Sequence, residues 1–226
     1  MCSAIPEINA EDVTLISDHD KGLAAADSVL NLTRRAYCCQ HIADNIQTKF
    51  GLAARKQFWK IAYARSELLY DNALDELQVL KPAAADYIDT LPRNLYAVAF
   101  FTGARFEHYT SNIVEATNAL FLEERELSAL DMLHGILEKE MDHRSSRQER
   151  DLNLPLTQPV TLYGSTKFTE SNHFSQQNNV RMQSVLEGVE TVTQRDGRAF
   201  QVNLEAATCS CKRYQDTLLP CGHAIL

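Results

Sequence analysis

The chain has 226 residues, a formal net charge of −8 and 45% hydrophobic residues, enough for one substantial core and a small module. No apolar run is long enough to span a bilayer, and a signal-peptide layout is not expected at the N-terminus. Residues 1–150 carry 16 Lys/Arg against 23 Asp/Glu and residues 151–226 carry 6 against 7, so neither half has the basic excess of a strong stand-alone nucleic-acid binder.

In chain order, the β-branched run Asp12–Ile16 ends in Ser17-Asp18 and predicts a buried strand, with a short helix over Lys21–Leu30. Arg35–Cys39 predicts a second strand, after which the chain turns helical from His41. From Ala53 to Ala85 the apolar residues Phe58, Ile61, Ala62, Leu69, Leu74, Leu77 and Leu80 recur at helical spacing, punctuated by Pro82 and Pro92. Tyr96, Phe100, Phe101 and Phe106 read as core aromatics rather than a base-stacking platform. A long helix is predicted over Ile113–Met141, with Leu130, Leu133, Leu137 and Met141 on one stripe. Residues 144–190 are polar and interrupted by Pro155 and Pro159, which predicts a linker with a transient strand at Val160–Tyr163.

The C-terminus is the most informative segment. Cys209, Cys211, Cys221 and His223 form C-x-C-x9-C-x-H, three thiols and an imidazole, the ligand set of a closed tetrahedral zinc site. On an extended strand residues two apart point to the same side, so Cys209 and Cys211 can share one ion. Asp196-Gly197, ahead of the alternating Arg198–Leu204, is a hairpin signal. Lys212 and Arg213 read equally well as phosphate contacts or as solvent-facing charges. Six cysteines used this way fit a reducing compartment. Cys38 and His41 stand at C-x-x-H spacing; two ligands do not close a zinc site, and a structural role is expected.

The C-terminal arrangement resembles a SWIM zinc finger of ββα plan, with the helix after His223 barely begun at Leu226, so its packing support is expected to be weak. Upstream, Val13–Ala25, Ala36–Asn45 and Ala97–Asn118 resemble, in that order, the second half of a Mutator-like (MULE) transposase. The resemblance implies a mostly α chain with small β parts: over 1–143 a partial RNase H-like core with a helical insertion, over 144–190 a linker, and over 191–226 a SWIM zinc finger truncated at its C-terminus. It implies Asp18 and Glu115 as two of three catalytic carboxylates, although locally Asp18 reads as a helix cap and Asn112–Glu115 as a capping box. Such carboxylates hold Mg²⁺ or Mn²⁺ for phosphodiester displacement. The first catalytic Asp has no counterpart upstream of Asp18, so the chain is expected to be a remnant inactive alone. The implied partners are DNA at transposon ends and a protein partner of the finger, with a nuclear location. The competing expectation is a domesticated, non-catalytic DNA- or protein-binding module in transcription regulation.

Overall fold

The computed structural model describes residues 13–18, 34–153, 160–186 and 188–225. The expected Lys21–Leu30 helix lies outside these residues. The chain divides into two compact units: residues up to Ser111 together with Glu170–Leu226, and Asn112–Thr169.

In the first unit, β1 (Leu15–Ser17) and β2 (Arg35–Tyr37) pair in parallel, Ile16 opposite Ala36. Among the described residues this pair is the only sheet before the finger, which falls short of an RNase H-like sheet. Five helices follow: α1 (Cys39–Phe50), α2 (Leu52–Tyr63), α3 (Glu67–Leu80), α4 (Pro82–Asp89) and the single turn α5 (Arg93–Tyr96). The helical periodicity predicted for Ala53–Ala85 is realised as three helices. Ser66 makes one break, its hydroxyl accepting from Leu69 N–H at 3.3 Å. Pro82 makes the other by sitting at the first position of α4, where no N–H is needed.

The apolar faces of these helices close on one core around Ile42, Ile46, Phe58, Ile61, Leu77 and Ile88, all fully buried. Tyr96 is buried among them and shares a 2.7 Å hydrogen bond with the Tyr70 hydroxyl, which answers its polar end. Phe100 packs against this core as expected, whereas Phe106 is exposed. Phe106 and Glu107 both take left-handed backbone (φ 52° and 62°), turning the chain away from the core.

The second unit corrects the single long helix expected over Ile113–Met141. Helix α6 (Asn112–Leu120) stops, a 3-10 turn occupies Glu124–Glu126, and α7 (Ala129–Leu152) starts afresh. Ser128 explains the restart: its hydroxyl accepts from Asp131 N–H at 3.4 Å and donates to the Asp131 carboxylate at 2.6 Å. Lys139 ties the pieces together through Leu120 O (2.8 Å) and Glu124 (2.6 Å).

Residues 144–190 were expected to lack regular structure apart from a transient strand, and here the structure differs. Helix α7 runs on to Leu152, Leu162–Gln177 forms α8, and Arg181–Leu186 forms strand β3. Val160–Tyr163 leads into α8 instead of forming a strand. Polar composition concealed α8 because its apolar contacts are few and concentrated at one end, at Phe174.

Candidate metal centre

The finger is built on a four-stranded antiparallel sheet in which β3 pairs with β4 (Val189–Thr193), β4 with β5 (Ala199–Asn203), and β5 with β6 (Thr208–Cys209). The β4–β5 turn is the predicted hairpin: Gly197 takes φ +81° and Asp196 accepts from Arg198 N–H at 3.0 Å. Val192 and Val202 point inward from adjacent strands, and Cys209 pairs with Val202, so the pleat delivers the first thiol into the interior. Lys212, in left-handed backbone (φ 63°), turns the chain into the short helix α9 (Arg213–Thr217). Cys221 opens a last turn, with Ala224 N–H and Ile225 N–H both donating to its carbonyl.

Expected weakness beyond His223 is offset by α8. A Cβ on Gly222 would lie 2.3 Å from Phe174 Cδ1 and 2.9 Å from Ser171 O, so only glycine lets α8 lie directly on the C-x-H turn. Ser175 Oγ donates to Ile225 O at 3.0 Å. The His223 ring stacks on Phe200 (centroids 3.9 Å apart) and meets Phe174 edge-on at 5.6 Å.

The ligand atoms of Cys209, Cys211, Cys221 and His223 lie within 4.8 Å of one another. His223 Nδ1 faces the thiols, 3.7 Å from Cys209 Sγ and 3.9 Å from Cys221 Sγ. A tetrahedron with zinc–sulfur bonds of about 2.3 Å has edges of roughly 3.8 Å, so the donors fit that ion in number, type and spacing. The three thiols also act strongly on one another. Hydrogen bonds from Cys209 and then Cys211 hold the Cys221 thiol far below its ordinary range. Donating to Cys211 and Cys221 pushes Cys209 far above its own. Cys211, drawn down by Cys209 but pushed up more by Cys221 and burial, rises to about 11. A divalent ion bound by the three sulfurs would displace their protons.

Behind the centre stands Gln194, 6% exposed, its amide 2.6 Å from His223 Nε2. With a metal on Nδ1 the imidazole proton sits on Nε2, and Gln194 orients the ring once its amide turns to present the oxygen that otherwise accepts from Arg198 Nη2 at 3.3 Å. Gln194→Leu is therefore expected to weaken zinc binding about 10- to 100-fold in a competition titration against a chromophoric chelator. An affinity within twofold of the parent would remove Gln194 from the centre.

The finger is fastened to the helical body of the same unit. Asp216, 4% exposed on α9, accepts from Arg105 N–H at 3.1 Å and from the Tyr109 hydroxyl in a short hydrogen bond. Its main-chain carbonyl accepts from Arg105 N–H (3.1 Å) and Phe106 N–H (2.7 Å), which is what the left-handed turn at Phe106 delivers. Burial and then the Asp216 charge push the Tyr109 hydroxyl well above its usual value, keeping it a donor. Arg65 Nη1 reaches Cys211 O at 3.4 Å, and Arg213 pairs with Glu107 (3.3 Å) and Glu170 (3.7 Å). Arg213 is thus committed to carboxylates.

The remaining sequence-level candidates are dispersed. Asp18 follows β1, half-buried, with Oδ1 shielded and without a hydrogen-bond partner among the described residues. Glu115 is exposed in the first turn of α6 and belongs to the second unit. Cys38, fully buried at the N-cap of α1, accepts from Ser111 N–H (3.2 Å) and Ser111 Oγ (3.3 Å). Against the upward push of burial, the bonds from Ser111 and His41 hold its thiol below the ordinary value. Among the described residues the finger tetrad is the only group of three or more close ligands, so Cys38 and His41 join no second cluster. Asp216, Arg105, Gln194 and Phe174 were not anticipated; each acts on a partner remote in sequence, and no local pattern marks it.

No curated protein and no solved structure matches the chain. The family model for the SWIM zinc finger matches residues 192–226. The match and the clustered thiols and imidazole support zinc as the ion. Residues 192–226 are a SWIM zinc finger domain.

Proposed function

We propose that this chain is a zinc-dependent DNA-handling segment of MULE-transposase descent, in which Cys209, Cys211, Cys221 and His223 bind zinc and the finger is held at a fixed place on the helical body. The observation that carries the reading is the finger's integration into the unit that also contains Asp18. Three further features support that descent. Asp18 stands at the end of a strand in a parallel pair, an all-helical segment follows β2, and Glu115 opens a later helix. In the inherited reaction, DNA strand cleavage and transfer, Asp18 and Glu115 supply hard oxygen ligands to Mg²⁺ or Mn²⁺. A nuclear location follows from this reading.

The net charge of −8 and the absence of Glu115 from Asp18's unit favour a second reading, a non-catalytic module whose finger binds a protein partner in transcription regulation. Titrating labelled duplex DNA with the zinc-loaded and the chelator-stripped chain separates the two. Zinc-dependent binding that weakens with salt, without nicking by this chain alone because the first catalytic Asp has no counterpart in it, is the expected result. Mn²⁺-dependent nicking that is lost in Asp18→Asn overturns the expectation of an inactive remnant. No DNA binding at low salt rejects the proposal and leaves the protein-binding module.

A further inference from the structure

Between the 98–105 segment and the finger lies a cleft of 190 Å³ lined by Phe101, Thr102, Gly103, Arg105, Lys212 and Asp216. Arg105 is 2% exposed, and its guanidinium lies between the rings of Phe101 and Tyr109, 4.6 Å from each centroid. Nη1 donates to Tyr96 O at 2.9 Å. Nε is buried with no acceptor among the described residues. An unanswered buried donor is costly, by about 1–3 kcal/mol and more on a charged group, so an acceptor arriving at this edge is favoured.

Lys212 brings the second charge. Its N–H donates to Cys209 O at 2.9 Å, so the turn between the zinc ligands and α9 holds it at the cleft. Unlike Arg213, it has no acidic partner among the described residues. Asp216 is the one carboxylate in the wall, and both of its oxygens are taken by Arg105 N–H and the Tyr109 hydroxyl. Two cations therefore meet one engaged anion.

We propose that this cleft binds a phosphate group, held by the Arg105 guanidinium edge and the Lys212 ammonium, and that zinc is needed because it fixes the Lys212 turn. An arginine edge suits a phosphate's paired oxygens, and lysine adds a point charge. The group is either a free phosphate or a phosphodiester of a DNA strand; only the second source rests on the DNA-handling reading.

The test uses the zinc-loaded full chain, with inorganic phosphate and duplex DNA as separate probes. Phosphate is expected to shift the amide resonances of Gly103 and Lys212 saturably, and Lys212→Gln is expected to weaken that binding about tenfold or more. Lys60→Gln, which removes a distant cation paired with Glu76 at 3.1 Å, should leave it unchanged. If the source is DNA, Lys212→Gln also reduces the slope of log affinity against log salt by about one. Phosphate shifts with an unaltered DNA slope assign the site to free phosphate, even if DNA binds elsewhere. No saturable shift with phosphate, or equal binding by Lys212→Gln, overturns the proposal whether or not the chain binds DNA.

Discussion

Cys221→Ser is expected to unfold the finger while leaving the helical core largely intact. The finger's buried apolar residues are few: Val180, Val192, Val202, Cys209 and Cys221. Two of those five are themselves ligands, so the metal centre is also the centre of the core. A module that small gains too little from apolar burial to fold unaided. Structural zinc contributes roughly 10–16 kcal/mol of apparent binding free energy in small fingers, and folding and binding become one equilibrium. Exchanging one thiolate for a hydroxyl removes a ligand and a shared charge. In amide-resolved spectra, signals of residues 189–223 should lose dispersion, while those of α1 to α4 keep theirs. Chelator treatment of the parent should produce the same pattern, and added zinc should reverse it. Because binding releases thiol protons, affinity should rise with pH while those thiols are still protonated. A well-dispersed, zinc-free finger would refute the metal assignment.

The second large effect concerns Asp216. Asp216→Ala removes the acceptor of the Tyr109 hydroxyl and leaves that donor stranded in a buried place, while Arg105 N–H keeps the Asp216 main-chain carbonyl. Leaving a buried donor unsatisfied in this way costs about 1–3 kcal/mol. For a chain of this size that corresponds to a loss of roughly 2–12 °C in Tm. Asp216→Asn retains an acceptor and should cost less. A double-mutant cycle with Tyr109→Phe should show a coupling of about 1–3 kcal/mol. Additive single effects would mean that the two side chains do not act on each other. Zinc affinity measured on the folded Asp216→Asn protein should stay close to the parent's, because no ligand is touched; this separates docking from metal binding.

The metal centre was legible because C-x-C-x9-C-x-H packs chemically distinctive residues into a short span and because Asp196-Gly197 announces its hairpin. The helices of the body were legible from apolar spacing, although Ser66 and Pro82 were needed to see where one periodic run divides. What escaped was of two kinds. Helix α8 is largely polar and draws its order from one end, and strand β3 is only half apolar and pairs along one edge, with β4, so periodicity was silent. Asp216 binds Arg105 and Tyr109 across separations of 111 and 107 residues, and nothing within the x9 spacer distinguishes it from any exposed acid before a turn.

That spacer sets a constraint of its own. Zinc alone is indifferent to how many residues separate its second and third sulfurs, provided the loop can close. Here the nine residues must also place one carboxylate on a single turn of helix, facing two donors on another part of the chain. Adding or deleting one residue within α9 would rotate that carboxylate by about 100° while the sulfurs could still regroup around the ion. The spacer is therefore a ruler for assembly as well as a loop. Length variants would form a lineage that keeps its metal and loses its place on the body, so drift in this segment would free the finger before destroying it.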